Sequence, residues 1–290
     1  MKKTTELALD SGLLRQRYKT LLQLAGFLQE DAFRLFCLMG RLSSTPAAPV
    51  LEVGVFCGRS LAALALAFPD AEAVGVDPMF EELDNEYALE GEGEYLAQAA
   101  GHASPERRLA VLSEVLKALE TDGETGIASR IRIERITQTQ FLGSPAADRA
   151  NQLVHLDGEH TYAAVKEALD HLPRLLLPGG WLVMDDFSNP GFPEISEAIH
   201  RHIHFRDELL PVVYGFNKGV FLWRATATHL SDVLENMDGA WRTTNYLVRR
   251  MTDGSMVIDR KTPAPATETR RTLRQRVARK LRRLAGIVES

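Results

Sequence analysis

The sequence predicts an α/β protein: a doubly wound, mostly parallel seven-stranded sheet with an N-terminal helical cap and a basic C-terminal helical tail. Three observations predict it. From residue 50 onward, short β-branched apolar runs alternate with longer segments of helical spacing, as parallel strands joined by crossover helices require. The first run stops at a glycine-bearing turn, Gly54 to Ser60, that leads directly into a helix. The last two runs, within 208–224, flank Asn217, Lys218 and Gly219, a hairpin turn signal that sets an antiparallel pair at one edge.

The elements follow in order. Leu14, Tyr18, Leu21 and Leu22, then Phe33, Phe36, Cys37 and Met39, recur at three- and four-residue spacing and predict two amphipathic helices. They form a cap over 1–45 whose apolar stripes offer a homodimer contact. The stretch SSTPAAP (43–49) breaks the helix. A strand (50–55), a helix (60–68) and a second strand (71–77) come next, followed by a mostly helical, polar stretch over 79–128. Strands at 130–136 and 152–157, a helix (161–176), the turn LLPGG and the strand WLVMDD (181–186) complete the alternation. The sheet domain is therefore placed at 46–224, with 225–290 as a C-terminal extension.

Composition narrows the class of protein. With 45% hydrophobic and 25% charged residues the chain is globular, not disordered. Its two cysteines, Cys37 and Cys57, have no zinc-type spacing to histidines, which fits a reducing cytoplasm. The opening MKKTTELALDSG lacks the apolar stretch of a signal peptide, and the longest apolar run, 61–68, is too short to span a bilayer. Residues 249–290 hold twelve Lys/Arg against four Asp/Glu, a charge of +8, which leaves −13 on the rest of a chain whose total is −5. Nucleic acid is thus an unsuitable partner for the body. In the tail, Leu273, Val277, Leu281, Leu284 and Val288 share one helical face among basic residues. Such a helix can rest on the inner face of a membrane, on a partner, or on the acidic body itself.

In open sheets of this kind ligands bind at the carboxyl ends of strands. The first strand end reads E-x-G-x-x-x-G-x-S, from Glu52 through Gly54 and Gly58 to Ser60. It is either a plain tight turn or a place where backbone approaches a ligand. The second strand ends at Asp77, one crossover later, where a carboxylate can accept hydrogen bonds from both hydroxyls of a ribose. The glycines do not form G-x-G-x-x-G, which weakens a nicotinamide reading.

EVGVFCGRS with GVDP, and LLPGGWLVMDDF, resemble motifs of the class I S-adenosylmethionine-dependent methyltransferases, a Rossmann-like fold. HLDGEHTYAAVKEAL with GGWLVMDDFSNPGFPE resembles their metal-dependent branch acting on sugars and macrolides. The resemblance covers about 48 to 224. It implies a methyl transfer to a hydroxyl of a sugar, polysaccharide precursor or natural product. It implies that Gly54 and Gly58 lie beside the methionine part of the cofactor, that Glu52 and Ser60 hold its polar groups, and that Asp77 binds its ribose. Thr137 and Gln138 stand where the family contacts adenine.

Asp157 ends the fourth strand, and Asp185 and Asp186 end the fifth. If these strands are neighbours, three carboxylates converge and repel unless some protonate or a cation binds. Oxygen ligands favour a hard ion such as Mg2+, and the resemblance assigns metal binding to the same three positions. His160 is either the general base or a helix-capping histidine, and Asp157 is the alternative base. The loop 188–199 suits an acceptor lid, with Asn189, Phe187 and Phe192 as its contacts or as ordinary packing. Two other functions stay open: a nicotinamide-dependent oxidoreductase, and a non-catalytic cofactor-binding assembly protein.

Overall fold

The computed structural model describes residues 12–79, 104–205, 208–243 and 245–261. The basic tail beyond 261 and most of the acidic stretch within 79–103 lie outside the described residues. Two cap helices, α1 (Gly12–Leu21) and α2 (Glu30–Leu42), precede β1 (Val50–Val53), α3 (Arg59–Ala67) and β2 (Ala73–Val76). Then come α4 (Pro105–Thr121), β3 (Ile131–Glu134), α5 (Gln138–Leu142), β4 (Asn151–Leu156) and α6 (Tyr162–Asp170). The chain continues through β5 (Leu176–Met184), α7 (Pro193–Phe205), β6 (Leu209–Gly215), β7 (Lys218–Trp223), α8 (Ala227–Trp241), β8 (Tyr246–Arg250) and β9 (Met256–Arg260).

The nine strands among the described residues form one sheet in the order β3-β2-β1-β4-β5-β7-β6-β9-β8. From β3 to β5 the pairing is parallel, and β7 joins β5 antiparallel. The order reverses between β1 and β4, so the carboxyl ends of these strands border the crevice where such sheets hold ligands. Strand alternation divides the core into two faces. Val50, Leu153, Trp181, Val183, Val220 and Leu222 pack with the cap, α3, α4 and α8. Leu51, Val53, Val154, Leu156, Leu182 and Met184 pack with α5, α6 and α7.

The structure differs from the sequence reading at three places. The segment LLPGG is the start of β5, not a turn before it, and the strand absorbs Pro178 and the glycines through a register shift against β4. The predicted helix 161–176 stops at Asp170, and a separate helical turn, Leu172–Leu175, carries Pro173 at its start. Most of all, the sheet does not end at residue 224. The segment assigned to a C-terminal extension supplies α8 and the β8–β9 hairpin, which bring the strand count from seven to nine. The signal was in the sequence: Asp253-Gly254 between the alternating runs YLVRR and MVIDR. Arg249 and Arg250, counted there as tail charge, stand on the outermost strand, where charges guard an open edge.

The cap's apolar faces are buried within the chain itself. Phe33, Phe36, Leu35 and Met39 of α2, with Leu14 and Leu21 of α1, belong to the core. Leu13, Leu22 and Phe27 stay exposed. Arg59, the first residue of α3, donates to the carbonyls of Leu24 and Gly26 and so locks the loop between the cap helices to the glycine turn. At the other end of α3, Arg130 donates to the carbonyls of Ala65, Phe68 and Ala71, where the helix leaves acceptors unpaired. The hairpin clasps the cap in turn. Buried Asp31, at the start of α2, accepts the Tyr246 hydroxyl at 2.6 Å and a two-pronged Arg260 guanidinium at 3.0 and 2.8 Å.

This clasp gives the first prediction. Tyr246→Phe removes one hydrogen bond to a buried carboxylate that keeps Arg260, and lowers stability by about 2 kcal/mol, the scale of a bond to a charged group. Urea unfolding of the two proteins measures it.

Candidate active site

Backbone strain is concentrated along the carboxyl edge of the sheet. Among the described residues six other than glycine have positive φ, and five of them, Phe56, Met79, Asp186, Phe216 and Asn217, sit at that edge after β1, β2, β5 and β6. Side chains in that conformation cost energy and cluster where geometry matters for function. Asp77 holds two of these turns. Its Oδ2 accepts the backbone N–H groups of Val55 and Phe56, both at 2.8 Å, and its Oδ1 accepts that of Met79 at 2.6 Å. A carboxylate has about four acceptor positions. Three are filled, so Asp77 retains room for one further donor where the sequence reading gave it two ribose hydroxyls.

The glycines also have structural causes. Gly54 has φ +90°, and a Cβ there would lie 1.9 Å from the carbonyl oxygen of Asp157. The ends of β1 and β4 are thus in backbone contact, and only glycine permits it. Gly58, at φ +83°, caps α3 without a side chain. The first turn of α3, which includes Ser60, therefore presents N–H groups to the crevice with no side-chain cap. Thr137 caps α5 and exchanges bonds with Gln140. Gln138 donates to the Ala164 carbonyl at 2.8 Å, which ties α5 to α6.

Glu52 departs from its expected place beside a cofactor. It is 0% exposed, on the cap side of the sheet, directly across from His155 of β4. Its Oε1 lies 2.8 Å from His155 Nδ1. His155, also 0% exposed, packs edge-on beneath Phe36 of α2, 5.3 Å between ring centres. Its Nε2 is 3.7 Å from Asp185 Oδ2, and that same oxygen is 2.5 Å from Lys218 Nζ on β7. Four side chains on neighbouring strands thus form one buried array: Glu52, His155, Asp185 and Lys218. Burial disfavours the charged form of His155, but the Asp185 and Glu52 carboxylates hold its pKa above the ordinary value. Burial would likewise raise Asp185, yet the Lys218 ammonium and His155 hold it far below the carboxylate range.

Asp185 stays beside Asp157, as the predicted three-carboxylate cluster requires, but its Oδ2 is already paired with Lys218. Asp157 and Asp186, which have no lysine or arginine salt bridge among the described residues, are joined by His160. Donor atoms of these three all lie within 4.8 Å of one another. Burial, and then the negative charge of Asp185, push the pKa of Asp157 well above the usual carboxylate value. Asp186 Oδ1 accepts the amides of Asn189, at 3.1 Å, and Asn217, and its Oδ2 faces His160 Nε2 at 3.5 Å. The His160 ring stacks on Phe192 at 4.3 Å, and burial lowers its pKa. A cleft beside it is lined by Gln138, Gly158, Glu159, Val165, Met184 and Ile195. Asn189, expected to touch an acceptor, positions Asp186 instead, and Phe187 packs on Tyr214 and Phe221.

His155, Asn217 and Lys218 were not singled out from the sequence. A histidine inside the apolar run QLVHLD, one strand from Glu52, was the available signal; Lys218 was read only as part of a turn.

Residues 51–187 match the model of a methyltransferase domain family. Over these residues the chain carries a methyltransferase domain. That match sets aside the oxidoreductase reading. Among curated proteins no sequence matches the chain. Among solved structures, it is similar to a TDP-rhamnose 3'-O-methyltransferase of calicheamicin biosynthesis at 20% identity, TM-score 0.48, with 74% of this chain and 96% of the other covered. It is similar to the O-methyltransferase of Streptomyces achromogenes involved in tomaymycin synthesis, solved with SAM, at 19% identity, TM-score 0.42 and coverage of 74% and 90%. A methyltransferase of the mycinamycin pathway, solved with Mg and SAH, is 20% identical at TM-score 0.44, with 73% and 53% covered. In the described part of the chain no helix is long and apolar enough to cross a membrane.

Cys57 lies within the glycine turn, and burial pushes its thiol up to about 11, that of Cys37 up to about 12. Both are buried, so neither is a thiolate nucleophile at neutral pH. Native protein at pH 8 is expected to resist iodoacetamide over the time in which guanidinium-unfolded protein is alkylated at both positions, as mass spectrometry would record.

Proposed function

We propose that the chain is an O-methyltransferase that moves the methyl group of S-adenosylmethionine to a hydroxyl of a sugar, polysaccharide precursor or natural product, with a divalent cation held by Asp157 and Asp186. One observation carries the proposal: two carboxylates and an imidazole with donor atoms within 4.8 Å, at the sheet edge next to the uncapped turn of α3. The two carboxylates fit a hard divalent ion such as Mg2+, which takes oxygen ligands, and the imidazole beside them serves proton transfer. Asp157 supports the fit, since a carboxylate whose pKa is raised by burial and by a like charge gains from a cation beside it. When bound, such an ion lowers the pKa of a coordinated hydroxyl and fixes its oxygen.

The chain's own residues account for the rest. The uncapped N–H groups of α3 suit the carboxylate of the cofactor's methionine part. The last acceptor position of Asp77 suits one ribose hydroxyl, and Gln138 and Gly158 stand where the adenine side of the crevice begins. His160 accepts the proton of the acceptor hydroxyl as the methyl group passes to its oxygen. A lowered pKa keeps the imidazole neutral and able to take that proton, and Asp186 at 3.5 Å stabilises the imidazolium that forms. Phe192 and Asn189 hold the pair in place.

Calorimetric titration with S-adenosylhomocysteine and with Mg2+ tests the proposal. Both bind the native chain; Asp157→Asn and Asp186→Asn each weaken Mg2+ at least roughly tenfold, as loss of a carboxylate beside a cation implies, with the nucleoside unaffected. A chain that takes up no S-adenosylhomocysteine sinks the function. His160→Gln retains both affinities but loses activity by about 10²- to 10⁴-fold, the range of general-base catalysis.

A pH dependence follows from Asp157. Its raised pKa means that the free protein keeps the proton above the usual carboxylate range, and a cation must displace it. Mg2+ affinity therefore climbs as pH rises through that pKa, levels off above it, and binding releases a proton. Titration in buffers of different ionisation enthalpy counts that proton.

A further inference from the structure

The candidate cation site already has a positive charge beside it, and it belongs to the chain. Lys218 opens β7 directly after Phe216 and Asn217, both at positive φ, and the turn delivers its side chain inward to 3% exposure. The ammonium is 2.5 Å from Asp185 Oδ2 and 5.9 Å from the centre of the Phe36 ring, so the roof of the array covers it. The other Asp185 oxygen, Oδ1, accepts the backbone N–H of Asp186 at 2.8 Å. Both oxygens of Asp185 are thus committed. Among the described residues, no lysine or arginine pairs with Asp157 or Asp186. The chain has therefore paired one of three neighbouring carboxylates with a lysine and left the other two without a lysine or arginine salt bridge.

We propose that Lys218 is a positioning residue that sets how strongly this site holds a divalent cation, by neutralising Asp185 in place and reserving Asp157 and Asp186 for the ion. The proposal rests on the cation reading given above and goes beyond it in naming an internal competitor. Two effects act in one direction. The ammonium repels an incoming cation, and it keeps Asp185, next in sequence to Asp186, from serving as a third oxygen ligand. Removing it deletes a positive charge and frees a negative one at the same place. The site with Lys218 is a two-carboxylate site that releases its ion readily; without it, a three-carboxylate site. An arginine would keep the charge, whereas methionine fills a similar volume without it.

The experiment compares Mg2+ and Mn2+ titrations of the full-length native chain, Lys218→Met, Lys218→Arg and the double variant Lys218→Met with Asp185→Asn. Each is also titrated with S-adenosylhomocysteine. Lys218→Met is expected to bind the ions roughly tenfold tighter or more, the scale on which a close charge shifts a carboxylate's preference. Its thermal midpoint falls without divalent ion and recovers more on adding it than that of the native chain. Lys218→Arg behaves as native. The double variant stays within about threefold of native, because a neutral pair has replaced a neutralised one.

Lys218→Met that binds no tighter overturns the proposal, and so does a double variant that loses the ion, the result required if Asp185 were itself a ligand. Ion binding by Lys218→Met alone, with none by the native chain, supports it in its strongest form. If neither binds an ion the proposal fails, while S-adenosylhomocysteine binding judges the methyltransferase reading separately. Lys218→Gln carries the same charge change should methionine prevent folding.

Discussion

The contact between Lys218 and Asp185 is the constraint around which the rest of the site is arranged. A lysine ammonium and a carboxylate inside a sheet core lose most of their hydration, and attraction offsets that loss only when geometry and further hydrogen bonds are good. The chain supplies both through strand register. Met184 of β5 lies opposite Gly219 of β7, which sets Asp185 and Lys218 side by side. Glu52 of β1 lies opposite His155 of β4, one strand further along. The charges therefore alternate across the sheet, with His155 between two carboxylates and Asp185 between His155 and Lys218. Breaking any member leaves its neighbour buried and unpaired, so the array specifies strand alignment as well as charge.

That arrangement also explains the chemistry left over at the carboxyl edge. Asp157 borders the array, with its carboxylate within 4.8 Å of Glu52 and His155 donor atoms, whereas Asp186 turns away from it toward the crevice. Asp186 enters the left-handed region of φ immediately after Asp185, and this single reversal sends two consecutive carboxylates to different partners. One goes inward to Lys218; the other goes to Asn189, Asn217 and His160. An isolated pair of aspartates at a strand end is electrostatically costly. Dividing them between a buried ammonium and a polar crevice lowers that cost without removing charge from the crevice.

The sequence made the central alternation legible because each strand from β1 to β5 is a short apolar run bounded by turn chemistry, and period and punctuation agree. It also made the strand-end aspartates and Gly58 legible, since these residue types are unusual where buried strands stop. Partnership across strands was hidden. His155 and Lys218 gain their meaning from register, which brings His155 to Glu52 across 103 positions and Lys218 to Asp185 across 33, and no local pattern encodes which side chain of a turn points inward. Glu52 was misplaced for the same reason: a motif fixes its position in the chain, whereas β4 decides what it faces. Strands β8 and β9 were missed for a different cause. Their basic residues were read as the start of a charged tail, although Arg249 pairs with Asp259 and Arg260 with Asp31 within the fold.

Those last pairs tie the periphery to the site. Asp31 sits in the first turn of α2, and Phe36, a little over one turn further on, covers both His155 and Lys218. A helix roof that shifted would admit water to the array, raise the effective dielectric between its charges and weaken each contact at once. The clasp of Tyr246 and Arg260 on Asp31 holds the N-terminal end of that roof, and Arg59 holds the loop that leads into it. The hairpin that completes the sheet is thus far from the carboxylates in sequence, yet it fixes the helix under which their neighbouring charges are sealed. The nine-stranded sheet and the cap are for this reason one electrostatic unit with the crevice, not a scaffold with appendages.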